Sequence, residues 1–405
     1  MEIRSREPRN PVDMKGCSSP AWDREDAFDL KPDCGPYGCQ DEKGKIRSFE
    51  TFEDLEKDLS QGRGKLAWIW VPEHERLLAP EEIVELASSL KKRRAIIAKD
   101  DLDDAKKGGV LFGLALLWTF FSAIQQSGLE GLGKSQSFGL AVLLFVLFAL
   151  RPGWEALKQK NELQKYTPEN LALEVPEARF ELWLGTQRAR VSLSVLILML
   201  VVGLTQVFSP GFGIESAGLL KLRYFQNGET WRLFTASFLH GNLIHFALNA
   251  SALWYLARRV EILARWPHLA GVFLMSMLGA GWATVSFLPS QNSVGISGVV
   301  CGLLGFLLVF ETLHQPLVPK LARRRVASIL VSLVVIGALG FRFIDNASHF
   351  GGLLTGASYA GIVFPKSSSF HRPSILKQDK IIGLVSLMMI WLSGIGAIVL
   401  MMTHR

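Results

Sequence analysis

Three separated stretches carry residues suited to hydrolytic chemistry. A serine stands between glycines in Gly295-Ile296-Ser297-Gly298, a histidine opens "HFGGLLTG" at His349, and "HGNLIHFALN" supplies His240, His245 and Asn249. A serine hydroxyl is a poor nucleophile until a neighbouring base takes its proton, and histidine is the commonest such base. The tetrahedral intermediate that follows needs donors aimed at its oxyanion. An asparagine amide, an imidazole and the backbone N–H of Ser297 are of the right kind. His245 and Asn249 are four residues apart and therefore share one helix face.

These residues lie in a chain that reads as a membrane protein. Its 405 residues are 49% hydrophobic with a mean hydropathy of +0.24, and no Lys or Arg occurs between Pro267 and Pro319. Positive average hydropathy over this length calls for membrane helices before a soluble core. Apolar runs predict spans at 191–208, 240–257, 269–287, 297–313, 326–341, 349–364 and 381–402, with a helical hairpin over 110–124 and 138–150, for seven or nine in all. The formal charge of +7 fits excess Lys and Arg in cytoplasmic loops, and "LARRVEILARWP", "PKLARRR" and "PKSSSFHRPSILKQDK" fall on one side. That bias puts the N-terminus in the cytoplasm and Ser297, His240 and His349 near the outer ends of their helices. A basic chain also raises nucleic acid, but no basic patch with interleaved aromatics is present, so no nucleic-acid partner is expected.

An ionised group inside a span costs about 2.5–3.5 kcal/mol or more, which makes polar residues there functional candidates. Each has an ordinary structural reading too. A serine in a membrane helix usually bonds its own backbone, a histidine at a helix end is commonly interfacial, and glycine pairs commonly serve packing. Gly298, Gly302 and Gly305 leave one helix nearly bare on a side, and Gly352 and Gly356 do the same on another. Such faces let helices approach closely, as a hydroxyl-to-imidazole contact would require. The coincidence of Ser, His, Asn and both glycine faces at one depth favours a site. A metal-binding or proton-relaying transporter is the weaker reading, since His240 and His245 are five apart, not the three or four that share a helix face.

Upstream, residues 1–45 show no periodic pattern and read as disordered, and the start lacks the apolar segment of a signal peptide. Residues 46–107 read as a small soluble module: a helix in "SFETFEDLEKDLSQG" with Ser48 as N-cap and Gly62 as stop, a strand in "KLAWIWVP", and a helix in "APEEIVELASSLKKRR". Residues 108–151 form the hairpin, 152–190 a cytoplasmic linker, 191–365 the core and 366–405 a linker with an extra helix. Cys34 and Cys39 could form a small loop bridge or half of a metal site, but no second cluster completes a zinc set, so they read as solvated loop thiols; Cys17 also lies in this stretch.

Taken together, "WRLFTASFLHGNLIHFALN", "GISGVVCGLLG" and "HFGGLLTG" resemble the rhomboid family of intramembrane serine proteases, in the family's order and over roughly residues 190–365. The fold class this implies is an all-α polytopic membrane protein. It would hold a rhomboid-like six-helix bundle with an extra C-terminal helix, an N-terminal hairpin and the small soluble module. By the resemblance Ser297 is the nucleophile and His349 the base, in H-x-x-G-x-x-x-G. His245 and Asn249 fall on the oxyanion positions. His240, Trp231 and Arg232 fall on structural positions, and Glu261 on a buried acid at the inner end of its helix. The flanking glycines Gly295, Gly298, Gly352 and Gly356 complete the motifs. The implied reaction is cleavage in or beside transmembrane segments of single-span or polytopic membrane proteins, in the lipid bilayer of a plasma or inner membrane, with no cofactor or metal. A catalytically silent rhomboid-like binder of membrane proteins is the alternative.

Two residues need separate treatment. Cys301 occupies the place of an aromatic residue that the family often stacks on the catalytic imidazole, so altered rate or specificity is expected. Asp345 lies four residues before His349, as if to complete a triad. It equally suits a helix N-cap, and the resemblance implies a dyad with no carboxylate.

Overall fold

The computed structural model describes residues 19–132, 135–164, 166–341 and 344–403. The chain divides into two units, Met1–Gly185 with Val335–Phe343, and Thr186–Val334 with Ile344–Arg405.

The first unit begins with an antiparallel sheet in the order β2-β1-β3, from β1 (Tyr37–Asp41), β2 (Ile46–Phe49) and β3 (Leu66–Trp70). Helix α1 (Phe52–Gln61) packs Leu55 and Leu59 onto Ile69 and Cys39, all fully buried. Three readings change here. Ser48 lies inside β2, and Thr51 is the N-cap of α1, its hydroxyl accepting from Asp54 N at 3.2 Å. Cys39 is a core residue of the central strand, not a solvated thiol, and Cys34 and Cys39 are unbridged. The stretch 1–45, which looked patternless, contains β1, because its pairing partners come from outside that stretch. Cys17 lies outside the described residues.

Beyond the sheet, α2 (Ala87–Leu132) stays helical through the charged segment that looked like a boundary and kinks at Gly128. It pairs with α3 (Gln136–Phe145) and α4 (Arg151–Gln164), the two joined by a π-helical turn, Val146–Leu150. Phe112 stacks on Phe148 at 5.3 Å, and a Cβ on Gly108 would stand 2.5 Å from the Phe148 carbonyl oxygen, so the two arms form a close hairpin. Residues 152–190, expected as a linker, are largely helical in α4 and α5 (Pro168–Thr186). Leu171, Phe180 and Trp183 of α5 are buried among charges that concealed the pattern.

The second unit holds α6 (Arg190–Val207), the short helices α7 (Ile214–Ala217), α8 (Lys221–Asn227) and α9 (Arg232–Thr235), then α10 (Leu243–Ala264), α11 (Trp266–Phe287), α12 (Ser297–Leu313), α13 (Lys320–Leu339), α14 (Asn346–Val363) and α15 (Lys377–Thr403). Two boundaries differ from the sequence reading. Helix α10 starts at Leu243 because the Asn242 side chain caps it, accepting from His245 N at 2.8 Å, which leaves His240 outside the helix. Helix α13 starts at Lys320, directly after Pro319, so the basic run is helical.

Among the described residues five runs are long and apolar enough to cross a membrane: Val84–Gln126, Ser137–Gln164, Arg190–Val207, Trp266–Phe287 and Lys377–Thr403. The apolar Ser297–Leu313 is shorter. Helices α10 and α13 fall short through their basic ends, and α14 through its Ser, Gly and His. The protein is an all-α integral membrane protein apart from its small sheet.

Two polar devices fix the helix ends far from Ser297. Glu261 accepts from Val191 N (3.1 Å), Ser192 N (2.7 Å) and Ser192 Oγ (2.6 Å), satisfying donors that the start of α6 would leave orphaned. Arg259, 0% exposed, binds Glu311, 2% exposed, at 2.6 and 3.2 Å, joining α10 to α12. Removing one partner of a buried pair leaves an uncompensated charge, so Arg259→Met is expected to destabilise by about 3–5 kcal/mol. The double change Arg259→Met/Glu311→Leu should recover most of that in a thermal melt in detergent. A double variant no more stable than the single would contradict this account.

Candidate active site

Glycine decides how near α12 and α14 come. A Cβ on Gly352 would overlap the Gly298 carbonyl, standing 2.7 Å from its carbon. One on Gly356 would stand 2.6 Å from the Gly302 carbonyl carbon and 2.9 Å from Gly302 Cα. The helices therefore meet backbone to backbone, as the glycine spacing suggested. At the top of this seam a Cβ on Gly298 would meet Ser348 Oγ at 2.6 Å. Ser297, the residue before Gly298, is thus beside the turn that carries His349.

Ser297 is the first residue of α12 and half-buried. The chain enters it through Gly295, whose φ of 122° is open to glycine and strained for other residues. Gly295 also lacks room for a side chain: a Cβ there would lie 2.8 Å from His245 Cε1, 3.0 Å from His245 Nε2 and 3.7 Å from Asn249 Nδ2. His245 and Asn249 therefore both face the segment that leads into the serine. Asn249 is 6% exposed and its Nδ2 has no hydrogen-bond partner, a buried donor aimed at this segment. His349 Nδ1 is likewise buried without a partner. Among the described residues no hydrogen bond joins Ser297 to His349. A small cavity of about 20 Å³, lined by Gly295, Gly298, Ser348, Ala236 and Thr284, lies beside the serine and has room for one water.

The supporting residues are held in turn. His240 sits edge-to-face on His245 with ring centroids 5.1 Å apart. Its backbone is clamped by Gln206 of α6, which accepts from His240 N at 2.9 Å and donates to His240 O at 3.2 Å. Arg232 is 2% exposed, lies over Trp231 at 4.4 Å, and donates to Gly218 O (2.6 Å) and Glu215 O (3.2 Å), which fastens the loop between α6 and α10. That loop is stitched to the segment before Ser297 by Leu219–Ser293 backbone bonds and by Gly295 N donating to Ala236 O at 3.1 Å.

Asp345 is placed as a cap. One carboxylate oxygen accepts from Ser348 N at 2.9 Å, and the other accepts from Ser293 Oγ at 2.6 Å and from Thr284 Oγ1. Lys221, 1% exposed, donates to Thr284 Oγ1 at 2.7 Å and Thr284 O at 2.8 Å. Burial pulls the Lys221 ammonium below its usual pKa, with the Asp345 carboxylate opposing that shift. This cluster ties α8, α11, α14 and the serine segment together, and among the described residues the Asp345 carboxylate makes no hydrogen bond or ion pair with the His349 ring. The residues that sequence reasoning missed are Gln206, Lys221, Thr284 and Ser293. A lone glutamine in an apolar span was the readable signal; the other three look like ordinary loop or helix-end residues.

Asp345→Asn keeps an oxygen for the Ser348 cap, so the protease activity that the sequence resemblance implies is expected to stay within about tenfold, whereas loss of a triad aspartate costs about 10⁴-fold. Asp345→Ala should lower thermal stability by about 1–2 kcal/mol through the lost cap. A 10⁴-fold rate loss in a folded Asn variant would make Asp345 a member of a triad.

The rhomboid domain model matches residues 227–366, which contain Ser297, His349, His245 and Asn249. RHOMBOID-like protein 6, mitochondrial, of Arabidopsis thaliana is 32% identical over 155 residues, 36% of this chain and 50% of that protein. Rhomboid protease GluP of Bacillus subtilis is 35% identical over 153 residues, 36% of this chain and 28% of that protein. Inactive rhomboid protein 2 of Homo sapiens is 29% identical over 173 residues, 40% of this chain and 20% of that protein. The chain spans half or less of the length of each of these relatives. The match falls on the glycine-sealed pair α12 and α14 and on the histidine and asparagine of α10, so residues 227–366 form a rhomboid domain.

Proposed function

We propose that the protein is an intramembrane serine endopeptidase that cuts membrane proteins in or next to their transmembrane segments. Ser297 is the nucleophile and His349 the base that takes its proton. The Ser297 oxygen bonds the scissile carbonyl carbon, and the C–N bond breaks as His349 returns the proton to the leaving amine. Water then hydrolyses the acyl-serine. Asn249, His245 and the Ser297 backbone N–H hold the oxyanion.

The observation that carries this reading is the backbone-to-backbone seam of α12 and α14, which brings the turns of Ser297 and His349 together with the unpaired Asn249 amide facing the same segment. The missing Ser297–His349 hydrogen bond does not count against it, because such bonds are often long without substrate. That same gap favours a second reading, a silent binder of membrane proteins, and one relative bears the name of an inactive rhomboid protein. The active site near the outer face of a plasma or inner membrane, with the N-terminus in the cytoplasm, is part of the proposal and rests on the loop charges.

The deciding experiment is labelling of the reconstituted protein with a fluorophosphonate. The protease reading expects labelling of the wild type, none of Ser297→Ala, and cleavage of single-span reporters by the wild type alone. An unlabelled wild type that binds the reporters and leaves them whole would establish the silent binder.

A further inference from the structure

At the end of the bundle opposite Ser297, a cavity of about 370 Å³ opens between α12 and α13. Lys320, Arg323 and Arg324 of α13 line it on one side and Thr312 of α12 on the other. The acid in its wall, Glu311, is already neutralised by Arg259. Among the described residues Lys320, Arg323 and Arg324 make no ion pair, and Arg323 Nε is buried without a hydrogen-bond partner. Three basic residues therefore line a cleft whose acid is taken up by Arg259. A topology signal explains basic residues at this end of the chain, but not their convergence with a second helix on one cavity.

We propose that this cleft binds the phosphate headgroup of an anionic phospholipid. Helix α12 has 17 residues, about 25 Å of rise, so the cleft lies at the opposite membrane interface from Ser297. Further along α13, Val331 and Val334 are 65% and 62% exposed, the pattern of a helix that passes from headgroups into acyl chains. The cavity wall follows suit: Leu308 and Val326 are apolar beside the cations. A free anion would use only the cations, whereas a lipid uses both. Basic pockets between transmembrane helices are a known physical solution for anionic headgroups. The site is independent of whether Ser297 is a nucleophile.

The test is native mass spectrometry of the full chain, re-lipidated with dioleoylphosphatidylglycerol or dioleoylphosphatidylcholine. One retained phosphatidylglycerol per chain is expected, with weaker phosphatidylcholine retention. Lys320→Gln/Arg323→Gln/Arg324→Gln should lower phosphatidylglycerol affinity by about tenfold or more. The control Lys366→Gln/Lys377→Gln/Lys380→Gln removes three exposed charges near the same end, where Ser367 N bonds Leu313 O, and should leave retention intact. Ala327→Phe fills the cleft while keeping its charges and is expected to lose the lipid, which covers the case of a misfolded triple variant. Equal loss in the control would show diffuse surface attraction and overturn the site. Displacement by 10 mM glycerol phosphate, roughly a ten-thousandfold excess over a micromolar site, would assign the cleft to soluble phosphates and overturn the lipid.

Discussion

Gly356→Ala is expected to slow cleavage by about 10²-fold while the protein stays folded. The added Cβ would stand 2.6 Å from the Gly302 carbonyl carbon and 2.9 Å from Gly302 Cα, with the carbonyl oxygen nearer still. Ordinary contact needs about 3.4 Å or more between such carbons, so α12 and α14 must part by on the order of 1 Å. Overpacking of this kind costs about 1–3 kcal/mol, too little to unfold a bundle this size. The rate suffers more, because Ser297 and His349 ride on the two separated helices. A misplacement near 1 Å at the reacting atoms can cost about 10²-fold. Gly361→Ala on the same helix is the control: nothing lies within 4 Å of its Cβ, so neither melting temperature nor rate should fall. Initial rates on a single-span reporter, beside thermal melts, check both. A Gly356→Ala enzyme with wild-type rate would mean that the seam does not set the catalytic geometry.

That seam was legible in the sequence because glycine has one physical use at a helix face: it lets another backbone approach. Gly298 and Gly302 find Gly352 and Gly356 across the interface, as their matched four-residue spacing suggested. The partnership of His245 and Asn249 was legible for the same reason, a helical period. What failed was anything dependent on pairing partners distant in sequence. Strand β1 was hidden in 1–45 because a strand is recognised by its neighbours, and β2 and β3 come later. Helices α4 and α5 were hidden by charge, since their buried residues are scattered among Lys and Glu. The Lys221–Thr284–Asp345–Ser293 cluster joins residues up to 124 positions apart in sequence, and no local pattern distinguishes a lysine that will be buried from one in a loop.

The support for the site and the site itself thus differ in kind. Asp345 illustrates the point. Spacing alone made it a candidate third member of a triad, but its oxygens are occupied by a helix amide and two hydroxyls. Its role is to set where α14 begins, and so where His349 sits, one turn later. Gln206 does the equivalent for His240, and through the ring contact for His245. Asp345 and Gln206 therefore fix the positions of His349 and His245, the residues proposed as base and oxyanion donor.

Removing the proposed nucleophile or the proposed base should have the largest effect of all. Ser297→Ala and His349→Ala are each expected to lower turnover by about 10⁴-fold or more, and the double variant to be no worse than either single one, because members of a catalytic unit fail together. Additive losses would instead mean that the two residues act independently, which a proton transfer between them forbids. Asn249→Ala should cost less, about 10²–10³-fold, since one oxyanion donor is lost and others remain. The change removes a buried amide whose Nδ2 has no partner in the resting structure, so stability should not fall with the rate. That separation is the informative part of the experiment. A structural asparagine would lose melting temperature and activity in parallel, whereas an oxyanion donor loses turnover with the fold and the reporter affinity unchanged.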